Sequence, residues 1–365
     1  MADEADLLER LRQQGISRRS FLKYCAGLAS LLALPPAMAP RIAEALERAR
    51  RPAVIWLSFQ ECTACTESLT RSFSPTLENL IFNVLSLDYH HTLQAAAGRH
   101  AEDARRQSME ANRGKYILVV EGSIPVAEGG VYSTIAGISN LDMLRETAAG
   151  AAAIVSVGTC AAYGGLPHAR PNPTGAVPVS EILADRTIVN VPGCPPIPVV
   201  ISGVIAHVLT FGRVPELDDL GRPTVFYGQT IHDRCYRRPF YDRNLFAEQF
   251  DDEGARNGWC LYKLGCKGPT TRNACATEKW NQGTSFPIQS GHPCLGCSEP
   301  DFWDAGSFYQ ALTAPPVDVA KWVVPAIGVG VAAGAAAGLA NRLRKARAER
   351  RRQPLAADDV KGGEG

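Results

Sequence analysis

The chain is 365 residues long and 45% hydrophobic, enough to bury one large core or two modest ones with further segments at its ends. A formal net charge of +1 gives no bulk electrostatic basis for nucleic-acid binding, although residues 341–352 (NRLRKARAERRR) form a dense basic run. Eleven cysteines beside long strand-like apolar runs argue against a short secreted disulfide scaffold and point to metal ligation.

Residues 1–45 read as a targeting segment. Ser17-Arg18-Arg19-Ser20-Phe21-Leu22-Lys23 is a twin-arginine pattern, followed by a mildly apolar stretch from Tyr24 to Leu34 and small residues ending at Ala45, with Ala39 as a competing cleavage position. An amphipathic N-terminal helix with an ordinary arginine pair is the alternative. The twin-arginine route exports proteins already folded around their cofactors. Cys25 lies inside this segment and is not expected to be a ligand.

Pro52 to Phe59 reads as a buried strand that ends at Gln60-Glu61-Cys62-Thr63-Ala64-Cys65, where a loop and then a helix begin. Ile81 to Leu87 is a second strand candidate, and Thr92 to Asn112 is helix-like. Tyr116 to Val120 is a third strand, closing on Glu121. Ala151 to Val157 ends at Gly158-Thr159-Cys160, and Thr187 to Val191 ends at Pro192-Gly193-Cys194. Strands alternating with helices predict an α/β fold with a flavodoxin-like, doubly wound parallel sheet over residues 46–228. Ligands of such sheets gather outside the carboxyl ends of the strands. Cys62, Cys65, Cys160 and Cys194 are therefore expected to converge, and four thiolates suit either an iron-sulfur cluster or zinc.

Beyond Gly228 the sequence becomes short of strands and rich in Gly, aromatic and polar residues. Residues 229–315 are expected to form an irregular cluster-binding domain. His232, Cys235, Cys260 and Cys266 make a second four-ligand set. Cys275, Cys294 and Cys297 make a third with only three thiols, which fits a cuboidal cluster lacking one iron. Pro287, which cannot ligate, lies where a fourth ligand might have come, and His292 would complete a zinc-like alternative.

Residues 322–340 (WVVPAIGVGVAAGAAAGLA) carry no charge and are long enough to span a bilayer, with Gly330, Gly334 and Gly338 repeating every fourth residue. The reading is a transmembrane anchor over 320–342, with an Ala-rich soluble helix as the alternative. The basic run after it places the tail, residues 343–365, on the cytoplasmic side, as does export of the preceding domain. That tail is polar and is expected to be disordered.

Taken together, the twin-arginine signal, QECTACTES, VEGS, VGTCAAYGG, VPGCPP, IHDRCYRRP, WCLYKLGCKGPTTRNAC, FPIQSGHPCLGCSE and the tail anchor resemble the small subunit of membrane-bound nickel-iron uptake hydrogenases. The resemblance covers nearly the whole chain. It implies a proximal [4Fe-4S] cluster on Cys62, Cys65, Cys160 and Cys194, and a medial [3Fe-4S] cluster on Cys275, Cys294 and Cys297. His232, Cys235, Cys260 and Cys266 would hold a distal [4Fe-4S] cluster. The implied role is electron transfer from H2 oxidised at a nickel-iron centre in a separate large subunit, since all ten cysteines outside the signal are assigned. The implied acceptor is a membrane cytochrome b or an equivalent quinone-linked protein, on the periplasmic side of a bacterial inner membrane. No residue is expected to be catalytic, and Glu121 would tune the proximal site, move protons or be a plain structural acid. Oxygen-tolerant members carry two further cysteines, at positions matched here by Ala64 and Gly165, so an ordinary cubane is expected.

Two rival readings differ in class. A related quinone-reductase subunit would share the proximal domain but not the segment from His232 to Cys297. A membrane-anchored zinc-binding adaptor would have no redox role.

Overall fold

The computed structural model describes residues 18–31, 34–48 and 51–312. Five parallel strands, β1 (Ala53–Ser58), β2 (Ser86–His90), β3 (Ile117–Glu121), β4 (Ala153–Val157) and β5 (Ile188–Val191), form one sheet in the order 2-1-3-4-5. This is the flavodoxin-like order expected from the alternation of strands and helices. β3, β4 and β5 are buried along their whole length, which is why they read as continuous apolar runs rather than alternating ones.

Successive side chains of a strand point to opposite faces, and the two faces carry two cores. On one face Val54, Trp56, Val119, Val155 and Val189 pack with helix α7 (Pro198–Phe211) and with residues of the cysteine-rich region such as Ile231 and Leu264. On the other, Ile55, Leu57, Leu118, Val120 and Ile154 pack with α4 (Arg99–Ala111) and α5 (Asn140–Ala148). The helix α3 (Ala64–Thr70) follows β1, and α6 (Thr159–Tyr163) follows β4, so both begin at the carboxyl edge of the sheet. Beyond α7 the described residues form only short helical turns and bridges.

Two expectations change. The apolar run Ile81 to Leu87 is not a strand: Leu80–Val84 is a helical turn, and the strand paired to β1 lies later, at Ser86–His90. Leu80 and Val84 are both buried, and the Leu85 backbone N–H donates back to the Leu80 carbonyl at 3.0 Å, which closes this stretch as a turn and not as a strand. The helix predicted over Thr92 to Asn112 is shorter, because Gly98 at φ 57° precedes its first turn at Arg99.

The N-terminal segment forms helices α1 (Arg18–Leu31) and α2 (Ala39–Arg48). They pack together, α2 also meets α7, and Cys25, Ala29 and Ile42 are fully buried. The predicted anchor and basic tail, residues 320–365, lie outside the described residues. Among the described residues no helix is long and apolar enough to cross a membrane.

Candidate functional site

Cys62 and Cys65 lie where β1 turns into α3, Cys160 is in the first turn of α6 after β4, and Cys194 follows β5. All four stand at the carboxyl edge of the sheet, and the Cys65 thiol lies within electrostatic reach of Glu121, Cys160, Cys194 and Cys62. Gly158, at φ 89°, makes room, since a Cβ there would overlap the Cys65 sulfur. A Cβ at Gly165 would likewise press on the sulfur and backbone of Cys160, so any side chain there requires rearrangement. Burial, followed by Glu121 and the neighbouring cysteines, pushes the Cys65 thiol well up, and burial raises Cys160 to about 11. Thiols crowded in this way ionise only when a cation compensates them, which is the environment an iron-sulfur cluster supplies.

Glu121 explains how the first loop is held. Its carboxylate accepts from the Cys65 and Thr66 backbone N–H groups at 3.0 and 3.2 Å, from the Thr66 hydroxyl at 2.5 Å and from the Trp56 indole at 3.1 Å. Of the three roles expected for it, this geometry carries the structural one: a buried carboxylate satisfied by four donors. Thr66 also meets His90 Nε2 at 3.3 Å, while His90 Nδ1 accepts from the Thr92 and Leu93 backbone N–H groups at 3.1 and 3.3 Å. That places the proton of the neutral ring on Nε2, which donates to Thr66. Glu61, next to Cys62, is raised to about 7 by burial and then by the charge of Glu121.

Cys275, Cys294 and Cys297 line one apolar cavity of about 290 Å³, together with Trp280, Phe286 and Pro287. Burial pushes Cys275 and Cys294 up, and the Trp280 indole near the Cys275 thiol acts in the opposite direction on Cys275. His292 borders this cavity, but Nδ1 meets the Pro293 carbonyl at 2.8 Å and Nε2 meets the Tyr309 hydroxyl at 3.2 Å. With both ring nitrogens engaged, the zinc-like completion of this set through His292 is not supported.

Cys235, Cys260 and Cys266 are buried and mutually adjacent. Burial raises Cys260 to about 11. His232 opens a short helical turn, and burial followed by the charge of Arg238 lowers the pKa of its imidazole. The Tyr241 ring packs edge-on against it at 4.6 Å. Gly268 packs beside both: a Cβ there would stand 3.3 Å from the Cys266 sulfur and 3.8 Å from the backbone nitrogen of His232.

The three sets touch in series. Cys194 of the first faces Cys297 of the third. Cys294 of the third donates its backbone N–H to the Cys266 sulfur of the second at 3.4 Å. Among the described residues no three His, Cys, Asp or Glu side chains converge closely enough to hold a single metal ion.

Several residues that sequence reading passed over hold these loops together. The Thr159 hydroxyl bridges Gly193 and Cys297. Arg222, 3% exposed, binds Glu299 at 3.0 and 3.1 Å and Asp218 at 2.8 Å. The Tyr227 hydroxyl donates to the Pro192 carbonyl at 2.8 Å, just before Gly193.

Comparison with known proteins agrees with this geometry. Residues 227–310 match the family described as the C-terminal part of the NiFe/NiFeSe hydrogenase small subunit, and residues 62–208 match NADH ubiquinone oxidoreductase, 20 Kd subunit. The second match stops before the cysteine-rich region, so it accounts for only part of the chain. The uptake hydrogenase small subunit of Azotobacter vinelandii is 53% identical over 330 residues, covering 90% of this chain and 92% of that one. The hydrogenase-1 small chain of Escherichia coli K12 is 49% identical over 347 residues, 92% of this chain and 93% of that one. In structure, the recombinant [NiFeSe] hydrogenase of Desulfovibrio vulgaris Hildenborough gives a TM-score of 0.67 at 40% identity, covering 72% of this chain and 99% of that one. With the fold and relatives matched over nine tenths of the chain agreeing, the chain belongs to the small-subunit family of nickel-iron uptake hydrogenases, whose catalysis resides in a partner large subunit.

Proposed function

We propose that the chain relays electrons from H2 oxidised in the large subunit through three iron-sulfur sites to a membrane quinone-linked acceptor such as a cytochrome b. The proximal [4Fe-4S] site is Cys62, Cys65, Cys160 and Cys194; the medial [3Fe-4S] site is Cys275, Cys294 and Cys297; the distal [4Fe-4S] site is His232, Cys235, Cys260 and Cys266. The observation that carries this reading is the serial contact of the sets, Cys194 with Cys297 and Cys294 with Cys266. When bound, the clusters supply one-electron acceptors and donors. The chain's own residues hold them in order and keep water from the medial cavity, whose wall includes Trp280, Phe286 and Phe302.

Cys62 and Cys194 are exposed, so the proximal set opens at a surface, as a site that receives electrons from another subunit requires. At the other end the half-buried His232, a neutral ligand, suits an exit toward the acceptor. The twin-arginine pattern at Arg18-Arg19 and the uncharged run 322–340 support export and a single membrane anchor with a cytoplasmic tail. Ala64 and Gly165 support an ordinary cubane at the proximal site.

The test is Cys62→Ser in the intact heterodimer. The variant should keep the large subunit bound and nickel-loaded while losing H2-dependent dye reduction. Wild-type dye reduction in a variant shown to lack the proximal cluster would defeat the proposal.

A further inference from the structure

We propose that Thr159 is the positioning residue that locks the proximal ligand loops to the medial ligand Cys297, and through that lock sets the potential of the medial site. The proposal rests on the assignment of the proximal and medial sets made above. Thr159 is 3% exposed and is joined by its own peptide bond to Cys160. Its backbone N–H donates to the Gly193 carbonyl at 2.9 Å, and the Gly193 N–H returns a bond to Thr159 Oγ1 at 3.0 Å. Gly193 is in turn joined to Cys194. The two proximal loops that follow β4 and β5 are thus closed on each other through one threonine.

The same hydroxyl faces the backbone carbonyl of Cys297, 138 residues along the chain. Gly193 can only donate to Oγ1, so the single hydroxyl proton is committed to the Cys297 carbonyl, with no second orientation that satisfies both neighbours. A parallel contact runs beside it, from the Cys194 backbone N–H to the Cys297 sulfur. The hydroxyl dipole therefore points its positive end at a medial ligand. This favours the more negatively charged, reduced state of whatever that ligand holds, and outer-shell donors of this kind tune cluster potentials. A valine fills the same volume but would leave the Gly193 N–H and the Cys297 carbonyl without this partner.

Thr159→Val, Thr159→Ala and Thr159→Ser are to be made in the full heterodimer and compared for iron and nickel content, medial potential by EPR-monitored redox titration, three-iron line shape and H2-dependent dye reduction. The expected result is wild-type metal content in Thr159→Val and Thr159→Ala, with a medial potential shifted downward, an altered three-iron signal and slower dye reduction, while Thr159→Ser stays at the wild-type values. Wild-type potential and line shape in Thr159→Val overturn the proposal, and so does an equal shift in Thr159→Ser. Loss of iron from both Val and Ala variants, with retention in Ser, would mark Thr159 as a folding strut and also overturn it. Absence of a three-iron signal from the wild-type protein would instead overturn the cluster assignment on which the proposal stands.

Discussion

Replacing Arg222 by methionine isolates the contribution of one buried cation to the frame that carries the clusters. Its side chain is 4% exposed, and its guanidinium is shared between Asp218 at 2.8 Å and Glu299 at 3.0 Å, 5.9 Å from the centre of the Tyr227 ring. Glu299 lies two residues beyond Cys297 and also accepts the Arg272 backbone N–H at 2.6 Å, three residues before Cys275. One guanidinium therefore braces both ends of the medial set against the flavodoxin-like half. Removing one member of a buried ion pair costs about 3–5 kcal/mol. Both carboxylates here keep backbone donors and are partly exposed, 23% for Asp218 and 22% for Glu299, so the lower end applies, about 3 kcal/mol. At about 2 °C per kcal/mol for a chain of this size, Arg222→Met should melt about 6 °C lower, and Arg222→Lys, which keeps the charge but not the fork, about 2–3 °C lower. The assay is thermal unfolding of the purified heterodimer at a fixed scan rate, followed by tryptophan fluorescence and cluster absorbance. An Arg222→Met protein melting within about 1 °C of wild type would refute the reasoning.

Three further outcomes follow from the geometry. His90 is fully buried and its pKa is lowered to about 4 by burial and then by His91, against about 6.5 unfolded, so its contribution is fully present above pH 6.5 and lost as pH falls toward 4. The loss amounts to about 3 kcal/mol at most, and in unfolding measured across that window His90→Gln should show a correspondingly flatter acid limb. Glu121→Gln leaves one amide oxygen to serve donors from Trp56, Cys65 and Thr66, and should cost about 2–4 kcal/mol and the proximal iron, read as loss of about four iron atoms per chain with the three-iron signal retained. With Ala64 and Gly165 in place of further thiols, the reduced and oxidised wild-type heterodimer should show an ordinary [4Fe-4S] spectrum at the proximal site; a [4Fe-3S] signature contradicts that assignment.

Four of the five strands were legible because a parallel sheet buried on both faces leaves unbroken apolar runs, as in Ile117 to Val120 and Ala153 to Val157. β2 was misplaced because Ser86-Leu87-Asp88-Tyr89-His90 is a polar edge strand, while the apolar run before it turns out to be a helical turn. The gathering of Cys62, Cys65, Cys160 and Cys194 at the carboxyl edge of the sheet was legible because strand ends constrain it. Their frame was not legible. Thr159 meets Cys297 across 138 residues, Arg222 meets Glu299 across 77, and Thr66 meets Glu121 across 55. No local pattern marks an ordinary threonine or arginine as the partner of a residue that distant. The burial of Cys25, Ala29 and Ile42 in the N-terminal helices was also unforeseen, since a targeting segment is read from its composition and not from what it packs against.

A relay of two four-iron clusters and one three-iron cluster, all held by this chain, is tested most directly by elemental analysis of the purified protein, corrected for the metal of the large subunit. The expected result is about eleven iron atoms per chain and no stoichiometric zinc. Zinc in place of iron, or iron sufficient for only one cluster, would contradict the relay.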